Sequence, residues 1–115
     1  MNRKYDVIMV GNKTIFDKYA EEISQMEGYK AKIKSHIEAD YSITESDLVI
    51  LDVAGLDENQ LFEYFRKKVG NSKMVTVSTD SQSPPINSDN HFFIGKNGNS
   101  RPSDLAELVR SLFSS

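Results

Sequence analysis

The amino-acid sequence predicts an α/β domain, a parallel β-sheet with helices packed on both faces. Three observations lead there. The run Asp47-Leu48-Val49-Ile50-Leu51-Asp52 is aliphatic and β-branched without alternation, the composition of a strand buried on both faces in the middle of a parallel sheet. Further short apolar runs recur along the chain with amphipathic helical stretches between them, as right-handed crossover connections require. Finally, 115 residues with 38% hydrophobic and 27% charged side chains are the size and composition of one globular domain.

Each element can be justified in turn. Tyr5-Asp6-Val7-Ile8-Met9-Val10 reads as a first buried strand, ended by Gly11-Asn12. Ile15, Phe16, Tyr19, Ala20, Ile23 and Met26 then recur at helical spacing, with Thr14 as a helix cap and Gly28 as the C-terminal stop. Lys30-Ala31-Lys32-Ile33-Lys34 alternates polar and apolar, which suits a shorter strand near a sheet edge, where lysines discourage mispairing. Residues 36–46 admit two readings: Ile37, Ala39, Tyr41 and Ile43 alternate as in a strand, yet the region equally suits a short helix.

After the strand ending at Asp52, a helix begins at Asp57 or Glu58. It carries Leu61, Phe62, Phe65 and Val69 on one face and Gly70 after its last turn. Residues 73–77 form a fourth strand ending in Ser78-Thr79. The following loop, residues 80–90, is rich in turn formers, and Pro84-Pro85 forbids a regular helix there. His91-Phe92-Phe93-Ile94-Gly95 is a fifth strand, followed by Lys96. A last helix starts at Pro102 or Ser103, with Leu105, Leu108, Val109, Leu112 and Phe113 on one stripe. Five strands in this length fit the flavodoxin-like three-layer α/β/α sandwich, a parallel sheet of order 2-1-3-4-5.

Composition narrows the function classes. A net charge of −3 offers no electrostatic case for direct nucleic-acid binding. Without cysteine there is no disulfide and no thiolate chemistry. His36 and His91 fall short of a metal cluster and read as ordinary surface or strand-edge histidines. The apolar run after the basic start is too short for a signal peptide, and nothing reaches membrane-spanning length, so a cytoplasmic domain without membrane insertion is expected.

In open α/β sheets, chemistry sits at the carboxyl ends of the strands. Asp52, Ser78 and Lys96 stand at three consecutive strand ends, after Leu48-Val49-Ile50-Leu51, Val75-Thr76-Val77 and Phe93-Ile94-Gly95. In that order and context the chain resembles a response-regulator receiver domain, of the chemotaxis-regulator type, over nearly its whole length. The resemblance places Asp52 at the phospho-acceptor position, Ser78 and Phe93 at the switch positions and Lys96 at the invariant lysine. It implies two-component signal transduction.

The departures from that pattern carry as much. Receivers place two acids after strand 1 to hold Mg²⁺, and this chain has Gly11 and Asn12 there. A hard cation needs carboxylate oxygens, and in phosphoryl transfer it neutralises charge on the moving group. Asp52 beside the Lys96 ammonium is a poor magnesium site. The Met-Pro expected after the acceptor is Ala54-Gly55 or Gly55-Leu56, and the proline expected after the lysine is Asn97. The family's helix between strands 4 and 5 is short or absent.

The expectation is therefore a degenerate receiver, a pseudo-receiver that is not an enzyme and has no cofactor. It would span 1–115 as the N-terminal module of a longer protein. It would act by protein–protein contact, regulating an attached output domain such as a transcription regulator or a pilus-assembly ATPase, with homodimerisation near strand 5 and the last helix as a further mode. Asp52 is then a vestigial carboxylate, paired with Lys96 and hydrogen-bonded to Ser78.

Two alternatives stand beside it. One is a conventional receiver, phosphorylated on Asp52 by a histidine kinase with Mg²⁺. The other is a small-ligand or nucleotide sensor whose pocket is lined by Gly11, Asn12, Asp52, Ser78 and Lys96. Gly11-Asn12-Lys13-Thr14 resembles the tail of a phosphate-binding loop, but Asn12 breaks the Gly-Lys-Thr triplet that loop requires. Arg66-Lys67-Lys68 with Lys73 reads as a docking patch or as the solvated last turn of a helix. The aromatic group Phe62, Tyr64, Phe65, Phe92 and Phe93 exceeds what one small core must hide.

Overall fold

The computed structural model describes residues 4–42, 46–53, 57–78, 85, 88, 90–95 and 100–114. Strands and helices alternate as β1 (Tyr5–Val10), α1 (Lys13–Gln25), β2 (Tyr29–Lys34), α2 (His36–Ser42), β3 (Leu48–Asp52), α3 (Glu58–Val69), β4 (Lys73–Ser78), β5 (His91–Phe93) and α4 (Pro102–Phe113). The strands form one parallel sheet of order β2-β1-β3-β4-β5. Both the class and the order agree with the sequence.

The two faces of the sheet explain the sequence pattern. Because side chains alternate along a strand, Val7, Met9, Leu48, Ile50, Val75 and Val77 point to one side, where Phe16, Tyr19 and Ile23 of α1 and Leu105 and Val109 of α4 cover them. Ile8, Val10, Val49 and Leu51 point to the other, beneath Ala39 of α2 and Phe62, Phe65 and Val69 of α3. β3 is thus buried throughout its aliphatic run, whereas β2 at the edge keeps its alternation. Each fully buried aliphatic or aromatic side chain contributes about 1.5–3 kcal/mol.

Several local expectations are corrected. The cap of α1 is Asn12, not Thr14: the Asn12 carboxamide oxygen accepts from the Thr14 backbone N–H at 2.8 Å. That helix also stops before Gly28, at Met26, whose N–H bonds the Ile23 carbonyl. Residues 36–42 resolve to a helix, and Ile43 lies outside the described residues. β5 closes at Phe93 rather than Gly95. Its last link to β4 is the Ile94 N–H on the Ser78 carbonyl at 2.9 Å, after which Gly95 turns the chain at φ 89°.

Between β4 and β5 no described residue is helical. Pro85, Ser88 and Asn90 are described there, and the rest of the expected 80–90 loop, with Thr79 and Pro84, lies outside.

Candidate functional site at the carboxyl end of the sheet

Parallel strands deliver their carboxyl ends to one edge of the domain, and the expected site residues meet there. Asp52 closes β3 and is partly buried. Gly11 follows β1 directly, and its strand neighbour in register, Val10, faces Leu51. The two chains approach so closely that a Cβ on Gly11 would stand 2.7 Å from Asp52 Cβ, 2.9 Å from Phe16 Cε2 and 3.3 Å from Asp52 Oδ2. The backbone at Gly11 adds a second restriction, with φ at 155°. Only glycine satisfies both conditions. Asn12, at the other position where receivers carry an acid, spends its side-chain oxygen on the N-terminus of α1.

The β4–β5 side of the edge is built from hydroxyls around one imidazole. Thr76 and Ser78 share a face of β4, and His91 and Phe93 stand opposite them in register. His91 Nδ1 lies 2.7 Å from Thr76 Oγ1, and its Nε2 lies 3.1 Å from Ser78 Oγ. Thr76 Oγ1 donates to the Asn90 carbonyl at 3.2 Å and meets Ser88 Oγ at 2.8 Å. One proton placement serves the chain of contacts: Ser78 O–H to Nε2, Nδ1–H to Thr76, Thr76 O–H to Asn90. Ser78 and Thr76 are fully buried, so this network satisfies groups that would otherwise be costly to hide. Phe93 is only partly buried.

His36, at the start of α2, donates from Nε2 to the Asp52 backbone carbonyl at 2.9 Å. Its ring packs 6.2 Å from that of Phe65. Both histidines therefore serve the end of the sheet rather than solvent alone, which the sequence reading did not assign. The signal was present for His91, since strand alternation places it on the face of Thr76 and Ser78. His36 gave none, because its partner is a backbone atom on a distant strand. Lys96, Ala54, Gly55, Leu56 and Asn97 lie outside the described residues, and with them the expected Asp52–Lys96 pair.

The receiver resemblance implies Mg²⁺, and the residues present do not fit it. Magnesium takes six oxygens in a near-ideal octahedron and depends on carboxylates for charge. Here the carboxyl end of β1 supplies no carboxylate, Gly11 after it cannot hold a side chain, and the Asn12 oxygen already accepts a backbone N–H. Among the described residues no three His, Cys, Asp or Glu side chains converge on a common point.

No family model and no curated protein sequence matches the chain. Solved structures do. The receiver domain of the Francisella response regulator 1452 superposes with a TM-score of 0.73 at 20% identity, covering 95% of this chain and 96% of that one. The fold is that of a receiver domain. A chain from the complex of the P1 domain of CheA3 with CheY6 from R. sphaeroides gives 0.72 at 18% identity, over 98% and 99%. A response regulator from Thermotoga maritima gives 0.70 at 18%, over 97% and 99%. At these identities the likeness is one of fold, and within that receiver fold the strand-end positions are filled as described above. No helix among the described residues is long and apolar enough to cross a membrane.

Proposed function

We propose that this chain is a receiver-like signalling module that works by protein–protein contact, without phosphorylation and without catalysis of its own, in the cytoplasm. The observation that carries the reading is the contact between Gly11 and Asp52. A receiver that accepts phosphate needs room and negative charge between the ends of its first and third strands, so that a divalent ion can sit against the acceptor. In this chain that space is closed by the side chains of Asp52 itself and of Phe16.

The hydroxyl–imidazole network supports the same reading. In the proposal Ser78 and Phe93 keep the switch positions, but Ser78 is engaged with His91 on its own sheet face. Protein contact is the natural mode for such a scaffold, and CheY6 is held in complex with the P1 domain of CheA3 in one of the similar structures. The partner is an attached output domain or a separate protein.

The test is incubation with acetyl phosphate and Mg²⁺, followed by intact-mass analysis. The reading expects unmodified protein. A phosphoryl adduct that disappears in Asp52→Ala would establish the conventional receiver instead.

A further inference from the structure

Signalling without phosphate needs some other input at the switch positions, and His91 touches one of them. Its Nε2 lies 3.1 Å from Ser78 Oγ, and its Nδ1 lies 2.7 Å from Thr76 Oγ1. Thr76 and Ser78 are fully buried, whereas His91 is only partly so, which leaves the ring within reach of protons from water. The backbone is held on both sides of the contact. The Thr76 N–H donates to the Asn90 carbonyl at 2.9 Å, just before His91, and the Ile94 N–H donates to the Ser78 carbonyl at 2.9 Å, just after Phe93. Protons can therefore change places here while the strands stay paired.

The proton count decides the consequence. An imidazole with one ring proton donates from one nitrogen and accepts at the other. Thr76 Oγ1 has the Asn90 carbonyl to donate to at 3.2 Å, so it accepts from Nδ1–H, and the Ser78 O–H donates to Nε2. A second proton, taken from water, binds at Nε2. That nitrogen then donates, Ser78 Oγ accepts, and the Ser78 hydroxyl proton turns away from the ring. Thr76 keeps both of its contacts. The change falls on Ser78, which follows Val77, the register partner of Asp52, at the carboxyl edge.

Charged groups reach this junction from the elements around it. On the same sheet face β4 contributes Met74, Thr76 and Ser78, none of them charged, while α1 and α4 cover the opposite face. From β3 comes the Asp52 carboxylate, and from α2 the His36 ring, whose Nε2 donates to the Asp52 carbonyl. From α3 come Glu63 and Arg66, which line a groove with Met74 and Asn90. The Arg66 guanidinium is engaged by the Gly70 and Ser72 carbonyls. Asp80, Asp89 and Lys96 of the flanking segments lie outside the described residues.

We propose that His91 is a proton-operated switch: its second ring proton reverses the Ser78 hydroxyl and carries the pH of the solution to the carboxyl edge of the sheet. The proposal rests on the reading of this chain as a module that signals without phosphorylation, and it adds the input to which the switch position answers. Imidazole suits such a role, because it is the side chain that changes charge between about pH 5 and 8.

The test is an NMR titration of the whole chain from about pH 8 to about pH 5, following the ring nitrogens of His91 and the backbone amide of Ser78. At the alkaline end the ring should carry its proton on Nδ1, with Nε2 unprotonated. On acidification Nε2 should take up one proton, and the Ser78 amide should shift with the same midpoint. His91→Gln can donate and accept but cannot ionise, so the Ser78 shift should be lost in it. In His36→Gln, which removes the other imidazole near this edge, the shift should persist. If His91→Gln does not fold, the native protein and His36→Gln still decide through the shared midpoint.

A ring with its proton on Nε2 at the alkaline end overturns the proposal, as does a ring whose protonation never changes across the range. A Ser78 amide that stays still while the ring titrates overturns it too, and so does a Ser78 shift that survives in His91→Gln or vanishes in His36→Gln. The reading beneath it fails separately. A phosphoryl adduct on Asp52 with the His91–Ser78 titration intact removes phosphorylation independence and leaves the proton switch. Unmodified Asp52 with a silent Ser78 removes the switch alone.

Discussion

At position 11 the chain has no room for a side chain, and this single residue governs what Asp52 can do. Introducing an acid by Gly11→Asp would not rebuild a metal site, because its Cβ would press on Asp52 Cβ and on the Phe16 ring. The expected result is a protein destabilised by about 1–3 kcal/mol in urea unfolding, with no gain in Mg²⁺ affinity. An unchanged midpoint together with tight magnesium binding would show that the strand ends separate freely. Asn12 is tested independently: Asn12→Ala removes the cap of α1 and should cost about 1 kcal/mol in the same assay. The missing acids at these two positions were legible in the sequence. That one position is sterically barred and the other is committed to a helix was not, since both facts depend on atoms that folding brings from β3 and α1.

Among the elements, α2 and α3 depend on the clasp that joins them. The Tyr64 hydroxyl, and then the Lys68 ammonium, hold the Asp40 carboxyl below the usual carboxylate range. The hydrogen bond to Asp40 in turn raises the Tyr64 hydroxyl and the Lys68 ammonium above theirs. A depressed acid contributes stability that is present above its unfolded pKa, about 4, and is lost as pH falls through the lower folded value. Groups with raised values contribute in full below their unfolded pKa, about 10, and lose it as pH rises through the folded one. The clasp should therefore hold across the neutral range and open at both extremes. Tyr64 ring resonances followed by NMR should move on acidification below about pH 4, and in Asp40→Asn that movement should be absent. A Tyr64 signal that ignores acid in the native protein would refute the clasp.

The same scale shows where sequence reading succeeds and where it stops. α4 was legible because its apolar stripe is long and begins with proline. α2 was not, because seven residues with alternating apolar positions satisfy strand and helix periodicity equally, and the choice is made by Ala39 packing beneath α2 against Ile8 and Val10. The end of α1 was misplaced because Gly28 marks the turn into β2, accepting from the Tyr5 N–H, rather than the helix stop itself. Arg66 was read within a basic run. In fact its guanidinium donates to the Ser72 and Gly70 carbonyls at 2.8 Å, tying off the chain beyond α3.

For the whole molecule, the sheet order follows from burial: the continuous aliphatic run of β3 belongs in the centre, and the lysine-alternating β2 belongs at an edge. This logic made the sheet order legible in a chain that no family model matches, and the receiver resemblance was added by Asp52, Ser78 and Lys96 at the strand ends. Function does not follow from the fold alone, because one scaffold hosts many functions. Here it turns on whether the edge formed by Gly11, Asp52, Ser78 and His91 can bind a metal and a phosphoryl group. The most direct measurement is an amide-resolved NMR titration of the native protein with Mg²⁺, followed by beryllium fluoride. The account predicts that resonances of Gly11, Asp52 and Ser78 stay in place through both additions. Saturable shifts at those residues, absent in Asp52→Ala, would contradict it.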